Sequence, residues 1–300
     1  MAGSAFAVYH GATMKLIAKK SLGQHFLNST HVLSQIIETA QIKSGETILE
    51  IGPGSGILTE ALLKSGANIV AIEKDSRAIS LLKEKFANSI SAGKLHLIEG
   101  DVLDTPTSLT SGPSTELQNG QFMIVANIPY YITGAILEKF LEHEPRPRRL
   151  ILLVQREVAE RIVAGEVTSH KESILSISVK AFGKPQIAAR VPRGAFTPAP
   201  KVDSAILAID DISESKFTEN HVEVGSFFKI LKSGFAHKRK YLIRNIEFLK
   251  DISILRDIWS KIGLDEKIRA ENLSLDQWFQ VSRSIIESDT KFLENTIPTI

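Results

Sequence analysis

Between residues 47 and 210 the sequence keeps switching period. Short runs rich in β-branched and other apolar residues at 47–51, 69–73, 95–99, 122–126, 150–155 and 204–209 read as strands. Between them, 58–65, 77–87, 134–143 and 156–164 carry apolar residues at helical spacing. Strands separated by helices pair in parallel, because a parallel neighbour is reached only through a crossover. The expected fold class is therefore α/β, a Rossmann-like sheet with helices on both faces. Residues 106–120, rich in Thr, Ser, Gly and Pro, read as a surface loop.

After Asp210 the alternation stops. Polar and acidic residues lead into helical runs at 227–235, 255–262 and 275–286 with no strand between them. This pattern divides the chain into an extension at 1–13, expected to be disordered with Met14 as the natural start, a sheet domain at 14–212, a linker at 213–222 and a small all-helical domain at 223–300.

None of the 300 residues is Cys, which excludes disulfide frameworks, cysteine metal sites and thiol nucleophiles and suits a reducing compartment. The longest apolar runs, such as 150–154, are far short of the ~20 residues that cross a bilayer. The first thirteen residues lack the basic start of a secretory signal. A cytoplasmic protein with no membrane contact is expected. The net charge is only +2, yet Lys229, Lys232, Lys238, Arg239, Lys240 and Arg244 fall in one sixteen-residue window without an acid, interleaved with Phe235, His237 and Tyr241. Such a stretch can track phosphates and stack bases, or it is simply a solvated face. Lys15, Lys19 and Lys20, and separately Arg146, Arg148 and Arg149, would extend that surface.

The sharpest local motif is Glu50-Ile51-Gly52-Pro53-Gly54-Ser55-Gly56, a strand that runs into a glycine turn and then a helix. Glycines let a ligand approach the backbone, and the helix start supplies free N–H groups. The dinucleotide pattern G-x-G-x-x-G is not met, since Ile57 stands at its last position, so pyrophosphate is disfavoured. Glu73 ends the next strand, where a carboxylate accepts from both hydroxyls of a ribose, and Asp101 follows the third, where it can accept from an adenine amine. Together they describe a pocket for an adenosine without phosphates.

Asn127-Ile128-Pro129-Tyr130 follows the fourth strand. An adenine amine is a poor nucleophile because its lone pair is delocalised into the ring. The Asn127 side-chain oxygen and a neighbouring backbone carbonyl can accept its two N–H groups and localise that pair. Pro129 fixes the turn, and Tyr130 offers a face to a flipped base. Asn takes no proton, so this is positioning chemistry.

With these residues in place the chain resembles the class I S-adenosylmethionine-dependent methyltransferases, and within them the ribosomal RNA adenine dimethyltransferases of KsgA type. The resemblance also covers Lys20–Asn28, Gln155–Arg161, Ala195–Ser204 and Arg269–Ser274, in the family's order. It implies S-adenosylmethionine as cofactor, with Gln24, His25 and Leu27 closing over its methionine end above Gly52 and Gly54. It further implies Glu73 on the ribose, Asp101 on the cofactor adenine, Asn127 and Tyr130 on the target base, and Phe196 stacking that base from the other side.

By the same resemblance the substrate is a pair of adjacent adenosines in a hairpin near the 3′ end of small-subunit (16S) ribosomal RNA, each dimethylated, on the RNA or the immature 30S particle. The enzyme is expected to act as a monomer and to need no metal. Tyr131 and Thr133 stand where members commonly have Asn and Ser, and Ala199 where a third proline is usual. The alternatives are a large-subunit (23S) rRNA adenine methyltransferase of macrolide-resistance type, a non-catalytic RNA-binding assembly or transcription factor of this fold, and, least well matched, a nicotinamide dehydrogenase.

Overall fold

The computed structural model describes residues 16–19, 22–106, 117, 121–165 and 171–288. The expected extension at 1–13, Lys15, Lys20 and nearly all of the loop at 106–120 lie outside the described residues. At the centre is a sheet of seven strands: β2 (Thr47–Ile51), β3 (Asn68–Glu73), β4 (Leu95–Glu99), β5 (Phe122–Asn127), β6 (Arg149–Gln155), β7 (Lys184–Val191) and β9 (Ser204–Asp210). Their spatial order is β4-β3-β2-β5-β6-β9-β7. Two further short strands, β1 (Phe26–Leu27) and β8 (Phe196–Thr197), pair apart from the sheet.

Successive side chains on a strand point to opposite faces, and both faces here are covered. Leu49, Ile51, Val70 and Ile72 enter one apolar cluster, while their chain neighbours Ile48, Ile69 and Ala71 enter the other. Burial on both sides is why β2, β3 and β6 read as nearly unbroken apolar runs.

The sheet is not uniformly parallel, as the alternation alone had implied. β9 runs antiparallel to both β6 and β7. β7 lies outside the expected strand set because it is an edge strand that contains Pro185 and Arg190 and exposes every second residue. The helices Thr30–Ala40 and Ile174–Phe182 were likewise not expected; each starts at a serine, Ser29 and Ser173, whose hydroxyl accepts a backbone N–H of the first turn.

The linker expected at 213–222 is corrected by the structure. Ser215–Glu219 is a helix whose Phe217 is only 2 % exposed. Its ring centroid lies 5.0 Å from that of Phe182 under the sheet, and 5.4 and 5.3 Å from those of Phe227 and Phe279 in the C-terminal helices Val224–Gly234 and Leu275–Glu287. One apolar cluster thus runs from Leu49 in the sheet to Trp259 and Trp278. The C-terminal helices are docked on the sheet domain through aromatic packing, which a polar-looking segment had concealed.

Candidate active site

The ends of four strands, β2 to β5, and the segment that runs into β1 converge on one cavity. Gln24, His25, Leu27, Glu50, Gly52, Gly54, Glu73, Asp101, Asn127, Pro129 and Tyr130 all line it. This brings together every expected site residue except Phe196. That ring is 3 % exposed, packs in the apolar cluster with Leu27, and lies outside the lining. β8 places the Phe196 ring in the apolar core with Leu27, where its burial is favourable.

The glycine turn is built by backbone conformation. Gly52, Gly54 and Gly56 have φ of +66°, +54° and +75°, the left-handed region that only glycine enters freely. A Cβ on Gly52 would meet nothing within 4 Å, so its missing side chain opens space on the cavity side, whereas one on Gly56 would strike Phe86 and Leu82 at 2.6 and 2.7 Å. Gly52 thus lines the cavity with open space where a side chain would stand, and Gly56 serves the packing of the following helix.

Glu73 locks this turn to the sheet. One carboxylate oxygen accepts from Gly54 N at 2.9 Å and the other from Asp75 N at 2.8 Å. Burial pushes the carboxyl above its ordinary range while those two backbone donors hold it down. Asp75 is itself buried, paired with Arg77 at 2.5 Å and reached by Gln24 Nε2 at 3.3 Å. The Arg77 guanidinium draws its carboxyl down to about 2.

Gln24 thereby ties the segment before β1 to the acid-rich end of β3. His25 Nδ1 lies 2.8 Å from the Pro198 carbonyl oxygen, and its ring stacks at 5.9 Å on Tyr130. Asn127 donates its side-chain amide to the His25 carbonyl at 3.1 Å, which sets its Oδ1 free to accept. The Tyr130 hydroxyl is 2.6 Å from Ser204 Oγ. Burial pushes the phenol up.

Two charged lining residues had no role assigned from the sequence. Glu50 is 1 % exposed, neither of its oxygens makes a well-formed hydrogen bond, and the Thr59 hydroxyl beside it is also without one. Burial pushes the Glu50 carboxyl up to about 8; Thr59 opposes the rise and Glu73 adds to it. The signal was a single acid inside a five-residue strand that is otherwise apolar except for Thr47. Lys74 is the second: its ammonium sits 2.7 Å from Asp101 Oδ2, and Leu103 N donates to Oδ1 at 2.9 Å. The Lys74 charge lowers the Asp101 carboxyl.

The basic surface also differs from expectation. Arg146 is buried between Glu144 and Glu214 and over the Phe182 ring, Arg148 pairs with Glu46, and Arg149 pairs with Asp210 and donates to the Ala40 carbonyl. Arg146 and Arg149 are tied into the fold by these contacts, while Arg148 stays about half exposed beside Glu46. Within 229–244, Lys232 reaches Glu138 and Glu142 at 3.2 and 3.4 Å and Arg244 pairs with Glu247. His237, Lys238, Arg239, Lys240 and Tyr241 form an exposed loop, pinned from below by the buried Asn245 amide on the carbonyls of Gly234 and His237.

Comparison with known proteins assigns this arrangement. The model of the family "Ribosomal RNA adenine dimethylase" matches residues 16–287. The chain belongs to this family. Ribosomal RNA small subunit methyltransferase A of Dehalococcoides mccartyi is 39 % identical over 270 residues, which cover 89 % of this chain and 88 % of that one. The protein of the same name from Bacillus cereus is 36 % identical over 274 residues, 89 % and 91 % of the two chains. A dimethyladenosine transferase from Plasmodium falciparum superposes with a TM-score of 0.70 at 29 % identity over 86 % of this chain and 96 % of that one. The 23S rRNA methyltransferase ErmE, at 22 % identity and a TM-score of 0.66 over 87 % and 99 % of the two chains, shares the fold. Membership makes the protein an rRNA adenine dimethyltransferase with S-adenosylmethionine as its methyl donor. The site fits that donor: a glycine opening, two strand-end acids and an orphaned buried carboxylate surround one cavity. Among the described residues no helix is long and apolar enough to cross a membrane.

Proposed function

We propose that the protein dimethylates N6 of each of two adjacent adenosines in a hairpin near the 3′ end of small-subunit (16S) ribosomal RNA, acting in the cytoplasm as a monomer during ribosome assembly. The observation that carries this reading is the Asn127 amide, held by the His25 carbonyl so that its oxygen is free in a cavity that also holds Glu73 and Asp101. Small-subunit enzymes among the relatives support the choice of subunit.

When bound, S-adenosylmethionine supplies a methyl group on a sulfonium sulfur. Glu73 and Asp101 receive its ribose and adenine, and the Glu50 carboxylate faces its cationic methionine end beside Gly52. Gln24, His25 and Leu27 close over that end. Asn127 Oδ1 and the Ile128 carbonyl accept the two N–H groups of the target amine, while Tyr130 backs the ring. With its lone pair localised by these acceptors, the amine would take the methyl group, the sulfonium sulfur would leave with the bonding pair, and the amine would release its surplus proton to water. No side chain here need accept that proton, since alignment does the work.

The basic loop at 237–241 takes RNA phosphates. Lys232, at its approach on the helix Val224–Gly234, pairs with Glu138 and Glu142 of the helix Thr133–Glu142, which starts directly after the Tyr130–Ile132 turn. With a rise of about 1.5 Å per residue, Glu138 and Glu142 lie roughly 8 and 14 Å along that helix from the cavity mouth. This suits a strand that binds by its phosphates at one end and inserts a base at the other. The test supplies labelled S-adenosylmethionine and unmethylated small subunits, then maps methylation by primer extension. Stops at two adjacent adenosines are expected; absence of transfer, or transfer only to large-subunit RNA, overturns the reading.

A further inference from the structure

We propose that Tyr131 is a second stacking surface, at the mouth of the cavity, for the base that flanks the target adenosine. The inference rests on the function proposed above and assigns a substrate contact to a residue that differs from the Asn common in this family.

The turn Tyr130–Ile132 is a 3-10 helix, in which successive side chains point about 120° apart. Tyr130 points in and is tied to Ser204, so Tyr131 points out. It is 69 % exposed. Of the six large apolar side chains most open to water among the described residues, Tyr131 alone also lines the cavity; Ile17, Val202, Tyr241, Phe248 and Ile254 lie elsewhere. A large apolar surface at the mouth of a binding site marks a contact.

The ring also has a seat. A Cβ on Gly23 would come within 3.1 Å of Tyr131 Cε1 and 3.3 Å of Cδ1, and Gly23 has φ +61°, so a glycine lets the ring edge rest on the backbone before Gln24. One edge is therefore supported while most of the ring stays open to water. When a base leaves its stack to enter the cavity, its chain neighbour loses a stacking partner on that side. Unpaired RNA bases are recognised by stacking on aromatic rings, without sequence preference. Two consecutive tyrosines, one inside and one at the rim, match two consecutive nucleotides.

The test compares wild type with Tyr131→Ala, Tyr131→Asn and Tyr131→Phe, using full-length protein, labelled S-adenosylmethionine and unmethylated small subunits. KM and kcat for the particles are measured, with cofactor affinity by calorimetry. Losing a stacked base should raise KM for the particles roughly tenfold in the Ala and Asn variants, with cofactor affinity unchanged and Phe restoring wild-type values. Unchanged KM in the Ala variant overturns the proposal. A parallel loss of cofactor affinity also overturns it, because Tyr131 would then be a lid over the cofactor. Failure of Phe to restore overturns the stacking basis. If wild type binds the cofactor but methylates no ribosomal RNA, the functional reading fails as a whole; failure confined to Tyr131 leaves that reading standing.

Discussion

The two ends of the cavity are built differently. At the cofactor end, Glu73 is fastened by two backbone N–H groups and sits in a strand flanked by β2 and β4, so its position follows from the sheet register. At the target-base end, Asn127, His25 and Tyr130 hold one another through single contacts between segments distant in sequence, at 3.1 Å and as a 5.9 Å ring stack. A site that binds a donor of constant shape benefits from rigidity. A site that admits a base from a large RNA, and must do so again after one methyl is in place, benefits from contacts that part easily. Losses at the first end should therefore appear in cofactor binding and losses at the second in turnover.

The strongest test of that contrast is Asn127→Ala. Removing one pre-set group that stabilises the transition state costs about 10²–10³ in kcat, and since the His25 segment loses only one hydrogen bond, cofactor affinity should fall by about tenfold at most. Labelled methyl transfer together with calorimetry checks this; an equal fall in both would mean that the two ends are not separable. At the other end, Glu73→Ala removes the lock on Gly54 as well as the proposed ribose acceptor. Two lost charge-assisted hydrogen bonds of about 1.5–3 kcal/mol each point to a loss of cofactor affinity of more than about 100-fold. Turnover at saturating cofactor should suffer less.

Glu50 sharpens the contrast through pH. Its carboxyl is raised from 4.5 to about 8, so between those values the folded protein holds a proton that the unfolded chain has released, and stability falls as pH rises through that window and levels above it. A cation bound against Glu50 needs the carboxylate form, so binding below pH 8 releases a proton. Affinity for S-adenosylmethionine should rise with pH from 6 to 8, by up to about tenfold per unit. Glu50→Gln should flatten both the stability and the affinity profiles. An affinity profile unchanged in that variant would remove Glu50 from the binding scheme.

How much of this was legible in the sequence depended on whether a residue's surroundings follow from its own run. β2, β3 and β6 were legible because strands buried on both faces must be apolar throughout, and the glycine turn because positive φ demands glycine at set places. β7 was not, because an edge strand with Pro185 and Arg190 looks like a loop. Arg146 and Phe217 misled for the reverse reason: a charge in a basic cluster and an aromatic in a polar run gave no hint that each completes the packing around Phe182. Glu73 and Asp101 line the cavity, where the motif order points, whereas nothing local marked Glu50 or told which way the Phe196 ring at a strand end faces.

The smallest expected effect concerns Lys74, where the cofactor end meets solvent. Its ammonium occupies Asp101 Oδ2, an oxygen in the position to receive an adenine amine, while Leu103 N holds the other. Lys74 is largely exposed, and such pairs contribute little to stability. Lys74→Met therefore frees an acceptor at almost no cost to stability, and cofactor affinity should tighten by up to about fivefold, with kcat for the RNA unchanged. The direction decides the point. Tighter binding means that the lysine competes with the adenine for Asp101, whereas weaker binding means that the ammonium orients the carboxylate for it and belongs to the rigid end of the cavity. In either case turnover should stay constant, because nothing at the Asn127 end has moved.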